Sequence, residues 1–288
     1  MYTRRKLWGI AFALPALLYF LAFTVYPKLN SFYLSLTDWN LLSPPQFVGL
    51  KNYASLLDNP QFNQALAATL YYSAGVVVPL LIFSLALALL LNRPLRLRAW
   101  YRAAYFIPVI IEMVVASIIW TYVYHPTYGL YTLFTRPLGI GPINWLADSK
   151  LAMPALIIFS WWKGTGYYMV LFLAGLQNIP DEYYEAAKID GANNWAQFLH
   201  ITLPLLKPTT LFVTVVCVIG AFQVFTPALL MTNGGPAGAT RVLPLYLYEN
   251  AFQFLKMGYA SAVAVFMFVI LIILTLIQLR VFRTEAYF

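Results

Sequence analysis

Cysteine, histidine and acidic residues are scarce in this chain of 288 residues, which has one cysteine, two histidines and ten aspartates or glutamates. A single cysteine permits neither an internal disulfide nor a cluster of cysteine ligands, and neither histidine has a second ligand at metal-binding spacing. The sequence therefore predicts no metal site. A G-x-x-x-x-G-K-[ST] loop is also lacking, so the chain has no such motif for holding ATP.

Charged residues are few, at 10% of the chain against about 25% in soluble domains, while 61% of the residues are hydrophobic. Together with a mean hydropathy of +0.72, this is typical of an integral membrane protein. The formal net charge of +8 could suggest nucleic acid as a partner. The basic residues stand in short clusters beside apolar runs rather than on one polar face, however, so we expect no nucleic-acid partner.

Six apolar runs are long enough to cross about 30 Å of hydrocarbon as helices. Backbone groups in lipid must be satisfied within the segment, and the short alternating segments of a barrel do not occur, so we predict an all-α membrane protein. We treat residues 1–288 as a single transmembrane domain. Its six predicted transmembrane helices are residues 7–26, 66–91, 103–124, 151–175, 208–231 and 257–279.

The positions of lysine and arginine predict how these helices are oriented. With the N-terminus in the cytoplasm, eleven basic residues lie inside and six outside, and Lys163 lies within a span. The positive-inside rule therefore predicts that both termini are cytoplasmic. The first span follows MYTRRK but is too long for a signal peptide and lacks a cleavage pattern, so we expect it to be retained.

The longest predicted cytoplasmic loop, residues 176–207, reads as two short helices. Asp181 and Glu182 are acids in a first helical turn, where the helix dipole favours them, and Gly191 is a natural terminator. Apolar residues then recur at helical spacing from Trp195 onward. The loop is thus expected to form a compact helical insert.

The charge of this insert indicates what it contacts. From residue 181 to residue 207 there are four acids and two bases. A helix that lies on lipid headgroups usually carries a basic face, which is the alternative interpretation. The acidic insert suits a basic pocket on a partner protein better.

The insert resembles the cytoplasmic signature of permease subunits of binding-protein-dependent ABC importers. The matching positions are Glu185-Ala186-Ala187, three residues, Gly191, nine residues, Ile201, one residue and Leu203-Pro204. The stretches EYYEAAKIDGA and ITLPLLKP are similar to the sugar-importing branch in particular. The resemblance continues through FVGLKNY, YRAAYFIPVIIEMVVASIIW, MVLFLAGLQNIPDEYYEAA and MTNGGPAGAT, and so covers nearly the whole chain.

This resemblance implies a type I ABC importer permease fold with a cytoplasmic coupling helix that docks on an ATPase. The residues with implied coupling roles are Glu185, Ala186, Ala187, Asp190, Gly191, Ile201, Leu203 and Pro204. The implied partners are a second permease subunit, two ATPase subunits that bind ATP and Mg, an extracytoplasmic binding protein and membrane lipid. The chain itself would bind no cofactor and would not be an enzyme.

The resemblance also implies a carbohydrate substrate, which includes sugars, oligosaccharides and polyols, and a bacterial or archaeal cytoplasmic (inner) membrane. Sugar sites use aromatic faces and polar atoms. The candidate residues of the substrate pathway are Glu112, Trp162, Lys163, Tyr167, Phe222 and Gln223.

Glu112 and Lys163 stand out because ionisable residues inside membrane spans are costly and are usually functional. Their similar depth would permit a salt bridge, which could either lock two helices or line the transport cavity. The alternative function is a proton-coupled secondary transporter with Glu112 as the carrier. A membrane-embedded enzyme or scaffold would require polar catalytic residues clustered at one depth, and the sequence does not show such a cluster.

Overall fold

The computed structural model describes residues 12–139 and 141–282. The predicted start of the first span and the basic residues Arg4, Arg5, Lys6 and Arg283 lie outside the described residues. The helices, labelled in chain order, are α1 (Phe12–Ser35), α2 (Lys51–Leu57), α3 (Pro60–Asn92), α4 (Arg98–Ile110), α5 (Met113–Val123), α6 (Leu130–Thr135), α7 (Ala152–Gln177), α8 (Asp181–Ile189), α9 (Asn194–Leu205), α10 (Lys207–Phe222), α11 (Leu243–Tyr248) and α12 (Met257–Val281). Two short antiparallel strands, β1 (Thr37–Asp38) and β2 (Gln46–Phe47), pair with each other.

Three described helices, α1, α3 and α12, are each long and apolar enough to cross a membrane. Two bent pairs, α4 with α5 and α9 with α10, raise the number of candidate spans among the described residues to five. The helix α7 has 26 residues, but Ser160, Lys163 and Thr165 make its middle more polar. The six-span topology, with α7 as the remaining span, therefore stays a prediction.

The helix α1 continues to Ser35, beyond the predicted end of the first span at residue 26. A wide π-helical stretch, Leu21–Val25, lies just before Pro27. Proline has no backbone N–H and its ring crowds the preceding turn. The wider turn makes room for Pro27 within one helix instead of ending the helix there.

The predicted third span, residues 103–124, is broken rather than continuous, and whether its two helices form one span stays a prediction. The helix α4 ends at Ile110, α5 begins at Met113, and their axes differ in direction by 98°. Pro108 lies inside α4 and weakens its last turn, and Glu112 has extended backbone angles. The chain therefore leaves one helix and starts another within two residues.

The predicted fifth span, residues 208–231, is also interrupted. The helix α10 stops at Phe222, and a wide helical stretch, Ala228–Thr232, follows only after an irregular segment. The break expected at Pro227 thus falls before that residue. Irregular backbone at membrane depth is tolerated where it lines a cavity, and the segment after Phe222 does so.

One compact unit of the described chain is drawn from residues 12–62 and 246–270. The Asn52 amide donates to the carbonyls of Ser35 and Thr37 at 2.9 and 2.8 Å, and the Tyr53 hydroxyl donates to Ser35 Oγ at 2.7 Å. These bonds tie α2 to the end of α1. In the same unit Gly258 lies against the Thr37 carbonyl, where a Cβ atom would collide.

The other unit is drawn from residues 63–139, 141–245 and 271–282, and its core lies around α7. The buried apolar residues of this core come from α3, α7 and α10 and the turns beside them, and are Ala88, Leu91, Met169, Phe172, Leu173, Leu176, Ile179, Leu206 and Val213. The helix α4 packs on α7 where Gly166 leaves room for the Tyr105 carbonyl. This core carries both the helical insert and a cavity beside the middle of α7.

Candidate functional site

The first half of the insert is the short helix α8, as the sequence predicted. Asp181 and Glu182 stand in its first turn and Lys188 in its last, so each charge complements the nearer end of the helix dipole. Gly191 follows with a φ of +79°, a left-handed conformation that glycine adopts without strain. The Ala192 N–H then donates to the Ala187 carbonyl at 2.8 Å and closes the end of the helix.

The second half of the insert is bound tightly to the first. The Asn193 side chain caps α9 by accepting from the Ala196 N–H at 2.8 Å. The Gln197 amide donates to the Ala192 carbonyl at 2.8 Å, and the hydroxyls of Tyr184 and Thr202 share a 3.0 Å hydrogen bond. The two helices of the insert are therefore held as one body.

Sequence reasoning missed Tyr184, Gln197 and Thr202 as the residues that hold the insert together. Gln197 and Thr202 are buried, although polar residues in a short loop are usually exposed. The sequence signal that could have identified Thr202 is its place on the apolar face of α9.

The candidate coupling residues are mostly accessible on the surface of the insert. Glu185, Ala186, Asp190, Gly191 and Pro204 are exposed, and Ala187, Ile201 and Leu203 are half-buried. Apolar side chains accompany them, since Ile189 is 88% and Trp195 66% exposed. Acids beside exposed large apolar residues form a surface suited to a partner with a basic and apolar groove.

The root of the insert is continuous with the core of its unit. Leu206, the residue between α9 and α10, is fully buried, and Leu176 and Ile179 at the other end are buried with it. Since packed cores transmit displacement rather than absorb it, a force on the insert reaches α7 and α10 directly.

A cavity of 280 Å³ lies beside the middle of α7, between α3, α10 and the irregular segment after α10. Two predicted pathway residues, Lys163 and Gln223, line it. Tyr72, Ser160 and Tyr168 add hydroxyl groups to its wall. Aromatic rings with a few polar atoms in a mostly apolar cavity can bind a small polar molecule.

The other four predicted pathway residues are not among those that line this cavity. Trp162 packs on Trp120 with ring centroids 5.3 Å apart, and it lines a separate groove. Tyr167 is exposed, and Phe222 is buried at the end of α10. Glu112 is exposed at the break between α4 and α5.

Glu112 and Lys163 act on opposite sides of that break. The Lys163 ammonium donates to the carbonyls of Pro108, Val109 and Ile111 at 2.8, 3.0 and 2.7 Å. The Glu112 carboxylate accepts a hydrogen bond from the Val114 N–H and caps α5. The positive charge therefore lies at the carboxyl end of α4, and the negative charge at the amino end of α5, as the helix dipoles favour.

The direct salt bridge expected between Glu112 and Lys163 is not the arrangement in this structure. All three N–H donors of Lys163 have carbonyl partners, and the hydrogen bond of Glu112 goes to its own helix. The two charges still interact electrostatically. Exposed backbone groups at the helix break compete for both side chains, and the sequence pattern could not show this.

Sequence reasoning also missed Tyr72, which is buried in the cavity wall. Its hydroxyl shares a 2.6 Å hydrogen bond with Ser160, and the neighbouring Trp161 donates from Nε1 to the Gly75 carbonyl at 3.0 Å. These bonds join α3 to α7 beside the cavity. In residues 12–139 and 141–282 no group of three or more His, Cys, Asp or Glu side chains is placed to hold a metal ion.

Comparison with known proteins relates this geometry to a family. Residues 67–284 match the family described as binding-protein-dependent transport system inner membrane component. The chain is 38% identical over 290 residues to the probable ABC transporter permease protein YurN of Bacillus subtilis, covering 99% of each protein. It is 36% identical over 283 residues to the trehalose/maltose transport system permease protein MalF of Thermococcus litoralis, covering 98% of this chain and 95% of the relative.

A third relative is the arabinooligosaccharides transport system permease protein AraP of Bacillus subtilis, 35% identical over 283 residues, with 97% of this chain and 90% of the relative covered. The fold is similar to a chain in the crystal structure of a bacterial ABC transporter involved in the import of the acidic polysaccharide alginate. The TM-score is 0.86 at 23% identity, with 98% of this chain and 97% of that chain covered. The chain belongs to the family of inner membrane components of binding-protein-dependent transport systems.

Proposed function

We propose that this chain is a permease subunit of an ATP-driven importer and forms half of the translocation pathway for a carbohydrate. A sugar, oligosaccharide or polyol would be delivered by an extracytoplasmic binding protein. The observation that carries this proposal is the rigid insert of α8 and α9, which presents Glu185 and Ile189 on its surface and is rooted in the core.

The insert is the contact through which we propose that ATP hydrolysis drives transport. The chain has no P-loop, so ATP and Mg belong to two ATPase subunits that bind the insert of this chain and that of a second permease. A basic groove on the ATPase would face Glu185. Because α8 and α9 are held as one body, movement of an ATPase would move α7 and α10 and thereby open or close the cavity.

Carbohydrate as the substrate class is supported by the relatives and by the cavity. The relatives named above include permeases for trehalose or maltose and for arabinooligosaccharides. In the cavity, Gln223, Ser160 and Tyr168 offer amide and hydroxyl groups beside aromatic rings. Amide and hydroxyl groups form hydrogen bonds with sugar hydroxyls, and aromatic rings pack on the C–H face of a sugar ring.

We also propose the full six-span topology, with both termini in the cytoplasm and the insert on the same side. The distribution of lysine and arginine supports this orientation, with eleven basic residues inside and six outside. Glycine-rich and proline-rich outer segments, such as MTNGGPAGAT, would then face the binding protein.

Reversal of one charge on the insert tests the coupling role. In Glu185→Arg we expect the ATPase recovered with the tagged chain from native membranes in mild detergent to fall roughly thirtyfold or more. The substitution would replace the proposed pair between Glu185 and a basic residue of the ATPase with two like charges that repel each other. The measurement is the amount of co-purified ATPase protein and its ATP hydrolysis, together with recovery of the second permease.

A matched control is Asp58→Arg, which makes the same charge reversal at an exposed carboxylate in the other compact unit. It should leave recovery of the ATPase unchanged. If the wild-type chain is recovered without any ATPase, under conditions that keep a known ABC importer intact, the proposed function is wrong.

A substitution at Glu112 distinguishes the proposed ATP-driven importer from a proton-coupled transporter. Glutamine at this position can still accept the capping hydrogen bond from the Val114 N–H, but it cannot carry a proton. We therefore expect Glu112→Gln to retain at least about half of the wild-type uptake, since capping changes of this kind cost little. Uptake of labelled sugar by cells, with and without an uncoupler, measures this. Loss of uptake in Glu112→Gln with normal assembly would favour the proton carrier instead.

A further inference from the structure

Two arginines at the start of α4 are packed unusually for residues of like charge. Arg98 and Arg102 are one helical turn apart on the same face, and both side chains are half-buried. Like charges at this spacing repel each other, and the Arg98 charge acts unfavourably on Arg102. The Nε atoms of both are buried without a hydrogen-bond partner.

Both arginines donate to the side chain of Gln177, which does not neutralise their charges. With its amide oxygen turned toward them, Gln177 accepts hydrogen bonds from Nη2 of Arg98 and of Arg102, each at 3.1 Å. An amide has no net charge. Within residues 12–139 and 141–282 no carboxylate forms an ion pair with either guanidinium, so the two positive charges converge without a counter-charge from this part of the chain.

The surroundings of the pair indicate the source of the missing anion. Trp100 and Tyr101 lie between the two arginines and are exposed, as is Leu97 before them, and Trp100 is 74% exposed. Exposed aromatic side chains at the end of an apolar helix are typical of the membrane–water interface. The guanidinium groups are therefore expected at the level of the phospholipid headgroups.

We propose that Arg98 and Arg102 bind the phosphate of an anionic phospholipid headgroup. Guanidinium groups match phosphate oxygens with paired, charge-assisted hydrogen bonds, and Gln177 holds the two side chains in position. Anionic lipid is favoured over free phosphate because the adjacent exposed side chains are apolar and can pack on acyl chains.

The position of Gln177 gives this site a further consequence. Gln177 is the last residue of α7 and lies a short turn before α8, the first helix of the insert. A lipid bound at the arginine pair would hold the ends of α4 and α7 together at the root of the insert. The lipid site stands on the local geometry alone, and only its effect on coupling rests on the proposed function.

Lipid retention by the purified chain tests the site. The probe is phosphatidylglycerol, counted on the protein by native mass spectrometry in detergent supplemented with equal amounts of phosphatidylglycerol and phosphatidylcholine. We expect the double variant Arg98→Gln/Arg102→Gln to retain roughly tenfold less phosphatidylglycerol than wild type, since the charge-assisted hydrogen bonds from both guanidinium groups to the phosphate would be lost. Arg98→Lys/Arg102→Lys keeps the charge and should retain an intermediate amount.

The matched control removes two charges from the neighbouring exposed linker. Arg93→Gln/Arg96→Gln should change phosphatidylglycerol retention by less than about twofold, because exposed charges that hold no bound group are screened by solvent and salt. An equal loss in both double variants would overturn the proposal, because general surface charge would then account for the binding. Loss of retention in the glutamine variant alone, with the lysine variant still binding, supports the site even if the glutamine variant is less stable.

A second experiment tests whether the arginine pair binds a lipid phosphate or a free phosphate ion. It also tests whether the pair contacts a partner protein instead. Inorganic phosphate at millimolar concentration should leave phosphatidylglycerol bound. If phosphate displaces it and binds equally well without lipid, the ligand is a free anion. If wild type retains no phosphatidylglycerol and Arg98→Gln/Arg102→Gln instead loses the ATPase, the pair is a protein contact. Either result overturns the lipid site, and recovery of the ATPase with wild type tests the proposed function separately.

Discussion

Replacing Lys163 with methionine is expected to destabilise the protein by roughly 2–4 kcal/mol and to abolish sugar uptake. Three charge-assisted hydrogen bonds to the carbonyls of Pro108, Val109 and Ile111 would be lost, each of which contributes about 1.5–3 kcal/mol when buried. Because Lys163 is only half-buried, the total lies below the sum of the three. The measurement is the thermal unfolding of the purified complex in detergent, together with uptake in cells.

Two further variants show whether the charge or the packing of Lys163 is responsible. Lys163→Arg keeps a cation that can reach some of the carbonyls, and should restore part of the stability. Lys150→Met changes an exposed lysine in the segment before α7 and should leave the melting temperature within about 2 °C of wild type. A stable and active Lys163→Met variant would contradict the capping role at the helix break.

Introduction of a side chain at Gly166 should separate α4 from α7. A Cβ atom at this position would overlap the Tyr105 carbonyl oxygen and lie close to the Phe106 Cα, both of which are backbone atoms. Backbone cannot rotate out of the way as a side chain can. We therefore expect Gly166→Ala to cost about 1–3 kcal/mol, and Gly166→Leu to prevent stable assembly.

The matched control for this prediction is Gly220→Ala. At Gly220 the nearest atom to an added Cβ is the Tyr168 hydroxyl, 3.8 Å away, which is ordinary van der Waals contact. Alanine also favours a helix more than glycine does, so the melting temperature of Gly220→Ala should equal or slightly exceed that of wild type. Equal melting temperatures for Gly166→Ala and Gly220→Ala would show that α4 and α7 are not closely packed at Gly166.

The helical insert could be predicted from the sequence because its structure depends on local preferences. Acids begin α8, Gly191 takes a left-handed conformation, and Asn193 caps α9, so neighbouring residues largely determine the outcome. The break at Glu112 could not be predicted in the same way. Glutamate is not among the preferred helix caps, and the Lys163 cation that stabilises the break is far away in the sequence.

The candidate pathway residues do not all lie at one cavity. Lys163 and Gln223 line the cavity beside α7, whereas Glu112, Trp162, Tyr167 and Phe222 are not among its lining residues. The polar residues of α7 are not gathered on one face, so hydrophobic periodicity cannot tell which side of the helix meets the cavity. Residues that hold the cavity wall, such as Tyr72, look like ordinary apolar residues in sequence, since their role depends on the helix packed against them.

The exposed apolar surface of the insert affects how stable the unassembled chain is in the cell. In the proposed orientation Ile189 and Trp195 would face the cytosol until one of the proposed partner subunits covered them. Exposed large apolar side chains promote aggregation, and they are a signal for chaperones and proteases. A cell that synthesises this subunit in excess would therefore degrade the surplus, and its abundance would follow that of whichever subunit is made in the smallest amount.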